Sequence, residues 1–363
     1  MSTLLTEEVA AEAGALTERI FEQVLASMEI ATVWLGHRLG LYDALVESAT
    51  SAEVAARTGV IERYVREWLE QQAIAGLVAV DDASAPPDQR RFGLSRAQRL
   101  ALADAESPFY AGALALLGGG CGAALPQVLD AWRHGTGLSF GAYGDDVRDG
   151  QGLFNKADFE QRLVQEWLPA VPDVDALLRR TGARALDLGC GVGWSSIALA
   201  RGYAGLTVDG VDLDEASVMD ARANALVAGV GDRARFEVVA SDADHGGGRY
   251  DVALFLESLH DMAHPVPALR AVRRALRPGG RVFVMDEGAA DEFAPDGSPV
   301  ERLLGAASVL HCLPVGLAEA DSAGTGALFR PSTLREYAAA AGYSAVRDAP
   351  IQHDFMRFYV LEA

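Results

Sequence analysis

From about residue 183 onward, apolar runs and amphipathic stretches alternate so regularly that a parallel sheet covered by helices is the architecture they imply. "RALDLG", "TVDGVD", "RFEVVA", "YDVALFLES" and "RVFVMDE" read as buried strands. "WSSIALARGY" and "EASVMDARANALVAG" read as helices between them. "PVPALRAVRRALRPGG" places Leu269, Val272 and Leu276 on one helical face and stops at Pro-Gly-Gly. The final stretch, "YSAVRDAPIQHDFMRFYVLEA", offers two strands joined by a short turn, hence an antiparallel edge. No repeats or low-complexity tracts interrupt the pattern.

The first strand runs into "DLGCGVG", with Gly189, Gly191 and Gly193 inside five residues. Glycine at a strand–helix turn allows positive φ and lets a ligand touch backbone directly. In a doubly wound sheet, ligands bind beyond the carboxyl ends of the strands, at this kind of turn. Tight strand–helix packing alone is the competing explanation. The next strand ends in Asp212, 23 residues after Gly189, where an acid can accept hydrogen bonds from both ribose hydroxyls. The third is followed by Asp242, positioned for an adenine amino group. Trp194 and Ser195 stand where a dinucleotide fingerprint has its third glycine, and no Lys-Ser or Lys-Thr pair follows. An adenosine compound without phosphates fits this turn better than a dinucleotide or nucleoside triphosphate.

Upstream, three patterns occur. Leu16, Ile20, Val24, Met28, Ala31 and Leu35 recur at helical spacing over about 10–36. "TSAEVAARTGVIERYVREWLEQQAIAGLVAVDD" then gives a helix capped by Thr50 or Ser51, a turn at Gly59, and a helix turning Val65, Trp68 and Leu69 inward. "GLVAV" and "FGLS" flank a polar turn as a hairpin, completing a winged-helix pattern. The second helix mixes Glu62, Glu67 and Glu70 with Arg63 and Arg66, so its exposed face is not basic. Between about 106 and 180, helices joined by loops are expected, rich in aromatics such as Tyr143, Phe154 and Trp167.

The 363 residues carry 31 basic and 51 acidic side chains, a formal charge of −20. Such a surface suits neither nucleic acid nor anionic membrane. Cys121, Cys190 and Cys312 lie far apart, as in a reducing interior with free thiols. "FYAGALALLGGGCGAAL" is short and glycine-broken for a membrane span, and the acidic N-terminus lacks a secretion signal's regions. A cytoplasmic protein is expected.

"ALDLGCGVGWSS", "VDGVDLDEAS" and "LRPGGRVFVMDE", in this order and spacing, resemble the class I S-adenosylmethionine-dependent methyltransferases across the C-terminal half. The whole layout, winged-helix front and doubly wound back, resembles the small-molecule O-methyltransferases. "LHDM" and "HDFMRFYVLEA" are similar to a bacterial group of such proteins. The resemblance implies S-adenosyl-L-methionine as cofactor. Asp187, Gly189, Gly191 and Gly193 would hold its methionine end and sugar, Asp212 its ribose and Asp242 its adenine, with Leu213, Ala243 and Glu257 as further cofactor contacts.

In that family the fourth strand is followed by a His-Asp pair whose histidine is the general base. "LHDM" supplies His260 and Asp261 but Met262 where the family usually has Trp. Asp261 or Glu287 would orient the imidazole. Two other roles for His260 stay open: a satisfied structural polar group, or a metal ligand with Asp261, His264 and Asp286 around iron or zinc. No metal is expected on the preferred reading. His311, Cys312, Phe329, His353 and Phe355 are candidates to face the substrate, with core packing the alternative.

The expected fold is therefore α/β: a Rossmann-like doubly wound sheet with an N-terminal helical winged-helix dimerisation domain (1–105), a helical linker and substrate cap (106–180), and a methyltransferase domain (181–363). The expected partners are a small, largely apolar methyl acceptor and a second copy, without membrane or nucleic acid. Oxygen is favoured as acceptor atom, carbon next. The alternative is a ligand-sensing winged-helix regulator that retains the cofactor fold.

Overall fold

A computed structural model describes residues 6–363; the first five residues of the acidic N-terminal stretch lie outside the described residues. The chain divides into two compact units, one through Gly119 and one from Gly120 to Ala363.

The first unit opens with α1 (Glu7–Arg38), capped by the Thr6 side chain and carrying acids in its first turn and His37 and Arg38 in its last, as the helix dipole favours. Only Val33 and Gly36 of α1 are buried. Leu16, Ile20, Phe21, Val24 and Met28 are each more than half exposed, so nothing among the described residues covers the apolar stripe. α2 (Ser51–Thr58) starts with a complete capping box, Thr50 with Glu53, and ends on Gly59 at φ 73°. α3 (Glu62–Ile74) buries Val65, Trp68 and Leu69, as its period dictates. The hairpin is minimal: β1 (Ala79–Val80) pairs with β2 (Phe92–Gly93), and Ala49 bridges to Phe92. The arginines of α3 are held by acids, Arg63 by Glu67 at 2.5 Å and Arg66 by Glu62 at 3.4 Å. α4 (Arg96–Leu102) follows.

α5 (Gly112–His134) corrects one expectation. The glycine-rich stretch near 112–124 does not break; it is one helix of 23 residues with Pro126 inside it. Among the described residues it is the one helix long and apolar enough to cross a membrane by length and composition, and 39% of its most apolar window is buried in protein. Gly120 shows how glycine serves packing here, since a Cβ would stand 2.6 Å from the Val147 methyl.

In the second unit, α6 (Gly144–Asp158) runs into a π-helical segment (Phe159–Trp167) and α7 (Pro172–Leu178). The sheet then forms from β3 (Arg184–Leu188), β4 (Thr207–Asp212), β5 (Ala234–Val238), β6 (Tyr250–Leu256), β7 (Leu276–Glu287), β8 (Ala345–Asp348) and β9 (Met356–Glu362). Its order is β5-β4-β3-β6-β7-β9-β8, with β9 antiparallel to both neighbours and the rest parallel. α8 (Trp194–Gly202), α9 (Glu215–Val227), α10 (Pro265–Ala275) and α13 (Pro331–Ala341) cover it. α11 (Pro299–Ala307), a π turn (Ser308–Cys312) and α12 (Leu313–Gly316) lie between β7 and α13 in the chain. The order reverses between β3 and β6, the switch point at which a crevice opens beyond the strand ends.

Candidate active site

The glycine turn lies at this switch point, directly after β3. Gly189 and Cys190 both donate backbone N–H groups to the Val211 carbonyl, at 2.9 and 3.1 Å, stitching the turn to β4. All three glycines have positive φ (70°, 50° and 85°), yet they answer different needs. A Cβ on Gly189 would meet Ser258 Cβ at 2.6 Å, and one on Gly193 would meet Ala221 and Phe236 at 2.9 Å. At Gly191 a Cβ would meet nothing within 4 Å. Packing therefore accounts for two of them, and Gly191 is the one whose backbone faces open space.

The acids around this turn are firmly placed. Asp187 is buried and accepts both the Ser195 and Ser196 hydroxyls at 2.6 Å. Burial raises its carboxyl above the usual range, although the two serines pull it back. Asp212 Oδ2 accepts the Gly191 N–H at 2.8 Å and its Oδ1 accepts the Asp214 N–H at 2.9 Å. Burial raises this group too, against those backbone bonds. Each oxygen keeps a further lone pair for a hydroxyl donor. Leu213 is 60% exposed beside it, while Asp242 is exposed and Ala243 half-buried in the turn after β5. Open space at Gly191, with carboxylates at the neighbouring strand ends, fits an uncharged sugar with its base and repels phosphates.

Ser258 joins this turn to the next feature, since its hydroxyl donates to the Leu188 carbonyl at 2.7 Å. Two residues on, a 3₁₀ turn (Leu259–Asp261) carries His260, only 2% exposed. His260 Nδ1 lies 2.6 Å from Asp286 Oδ1 at the end of β7. Its Nε2 lies 3.2 Å from Asp261 Oδ1 and 3.9 Å from Glu287 Oε1. Burial opposes a charged ring, but the Asp261 and Asp286 carboxylates outweigh it and hold the imidazole well above its ordinary pKa. Asp261 is lowered in turn, His260 overcoming its burial.

Two more carboxyls complete the group. Glu257 sits at φ 57°, a strained backbone position for a non-glycine residue, and accepts from Asn155 Nδ2 at 2.5 Å. Burial pushes its carboxyl up to about 7, against the Asn155 bond. Glu287 is raised well above its usual range by burial and by the Glu257 charge. His311 is buried against the Phe140 and Tyr143 rings, and burial lowers its pKa.

The structure thus brings His260, Asp261 and Glu287 together, with Glu257 beside them, one residue before the Ser258 that packs on Gly189. Of the acids expected to orient the imidazole, Asp261 lies against Nε2, while the Nδ1 contact is made by Asp286. The structure also breaks up the imagined metal set, because His264 Nε2 pairs with Glu319 at 3.6 Å. Phe329 is a core residue stacked on Tyr337. His353 is structural: its Nδ1 accepts the Phe355 and Met356 N–H groups and its Nε2 lies 2.9 Å from Asp158. Sequence reasoning missed Asn155, which reaches Glu257 from 102 positions away and has no local signature.

Comparison with known proteins places this fold in a family. A methyltransferase-domain model matches residues 186–282, and a model for the Rv2258c-like winged HTH domain matches 26–96. A ubiquinone biosynthesis O-methyltransferase of Marinobacter nauticus is 33% identical over 172 residues, covering 47% of this chain and 67% of the relative. Human N-acetylserotonin methyltransferase, solved with S-adenosylmethionine, superposes with a TM-score of 0.69 at 15% identity over 100% of this chain and 99% of that one. The mitomycin 7-O-methyltransferase structure superposes at 0.67 with 20% identity, covering 98% and 100%. The chain belongs to the class I S-adenosylmethionine-dependent methyltransferases, with a winged-helix domain at its N-terminal side.

Proposed function

We propose that this enzyme methylates a hydroxyl oxygen of a small, largely apolar molecule, with His260 as the general base. The observation that carries this reading is the imidazole at the carboxyl edge of β6, locked through Nδ1 by Asp286, one turn from the glycine crevice. S-adenosylmethionine, when bound, supplies an electrophilic methyl on a sulfonium. Gly191 would lend it open backbone, Asp212 would hold the ribose hydroxyls, and Asp242 with Leu213 and Ala243 would border the adenine.

The chain's own work is positioning and proton transfer. Holding the acceptor oxygen in line is worth about 7–11 kcal/mol in favourable cases. The hydroxyl proton moves to His260 Nε2, and the imidazolium that forms is stabilised by Asp286 on one side and Asp261 on the other. A base with so high a pKa must first be neutral, so turnover rises with pH. The name of the mitomycin relative supports a secondary metabolite as acceptor. The bare stripe on α1 is proposed to bury itself against a second copy, because an exposed apolar face of this length needs a partner.

The test is radiolabelled methyl transfer to a panel of phenols and hydroxyquinones. His260→Ala should lower kcat about 10²–10⁴-fold while leaving calorimetric cofactor affinity unchanged. An unaltered kcat would refute the base.

A further inference from the structure

We infer that the His260 turn is also a binding site for a zinc-class divalent cation, with His260 Nε2, the Asp261 carboxylate and Cys312 Sγ as ligands. These three residues each offer a ligand atom, and the atoms lie within 4.8 Å of one another. One nitrogen, one oxygen and one thiolate sulfur is a donor set suited to zinc and unsuited to magnesium or calcium.

Three features support it. First, a metal-ligating histidine usually donates its other ring N–H to a carboxylate, which fixes the ring. Asp286 already does this at 2.6 Å and aims Nε2 at the other two ligands. Second, the cluster is short of partners. Asp261 Oδ1 lies in the ion pair with Nε2, but no hydrogen bond of good geometry reaches it, and His311 Nε2, on the residue next to Cys312, is likewise buried without a partner. Third, both backbone pieces are tight turns on rigid elements, the 3₁₀ turn after β6 and the π turn Ser308–Cys312. π turns recur at functional sites.

Coordination displaces the thiol proton of Cys312 and the Nε2 proton of His260 to solvent, so no oxidant or reductant takes part. It also occupies the nitrogen proposed above as the base. Metal and acceptor proton therefore compete, and the loaded protein is an idle form.

The site is tested without any methyl acceptor, so its failure is separable from failure of the base assignment. The full chain, stripped with a chelator, is titrated with Co²⁺ and followed by absorption. One equivalent should produce tetrahedral d–d bands and a near-ultraviolet thiolate-to-cobalt band. Cys312→Ser should lose the thiolate band and Cys121→Ser should keep it. Asp286→Asn should weaken binding about 10–100-fold. No thiolate band from the folded wild type, or one that survives in Cys312→Ser, overturns the site. Should Cys312→Ser misfold, X-ray absorption of the zinc-loaded wild type decides: one sulfur in the shell supports the proposal and none overturns it. In an active preparation, turnover should fall with the same midpoint as the cobalt band grows; full turnover at full loading overturns the competition.

Discussion

His260 Nδ1 and Asp286 Oδ1 stand 2.6 Å apart, joining the turn after β6 to the last residues of β7. Both side chains are essentially removed from solvent, and the Glu287 backbone N–H donates to the same Asp286 oxygen at 2.9 Å. One carboxylate thus fixes the ring's tautomer, its orientation and much of its basicity.

Asp286→Asn should therefore move the pH profile. The wild-type imidazole is held above its ordinary pKa partly by Asp286, and it accepts a proton only when neutral. Removing that charge lowers the pKa, so the ascending limb of kcat/KM should shift to lower pH while its plateau falls. A limb that stays in place would mean another group titrates.

Glu257 makes folding pH-dependent. Its folded pKa of about 7 lies above the ordinary 4.5, so the folded state binds the proton more tightly than the unfolded chain. The Glu257 contribution is full below pH 4.5 and is lost as pH rises through 7, by as much as about 3 kcal/mol. Glu257→Gln keeps an acceptor for Asn155 and removes the ionisation. Thermal denaturation should show the variant gaining more over wild type at pH 8 than at pH 5.

The glycine turn separates packing from binding. Gly193→Ala forces a Cβ into Ala221 and Phe236 at φ 85°, and should cost about 1–3 kcal/mol of stability by denaturant melts. Gly191→Ala meets open space at φ 50° and should cost about 1 kcal/mol. Calorimetric affinity for S-adenosylmethionine should fall further in the Gly191 variant.

The bare face of α1 predicts self-association. Phe21→Glu combined with Met28→Glu should convert a dimer to a monomer in light scattering, since both side chains are more than 60% exposed. An unchanged mass would locate the interface elsewhere.

DNA binding is predicted to be absent. Arg63, Arg66 and Arg90 are each held by an acid of α3, so these three present no free basic row. A random duplex at low salt should not be retarded in a gel.

Much of this protein is written locally. The Thr50 capping box, the Gly59 stop, the alternation of buried strands with helices, the glycines after β3 and the acid closing β4 all depend on a few adjacent residues. Backbone sterics and the 3.6 and 2.0 periods act at that range, so sequence alone decided them. The sheet order decided the rest. Placing β6 beside β7 sets Asp286 against His260, 26 positions away, and tertiary packing brings Cys312 and Asn155 to the same edge. No local propensity encodes such meetings, because which acid orients the imidazole depends on which strands lie side by side.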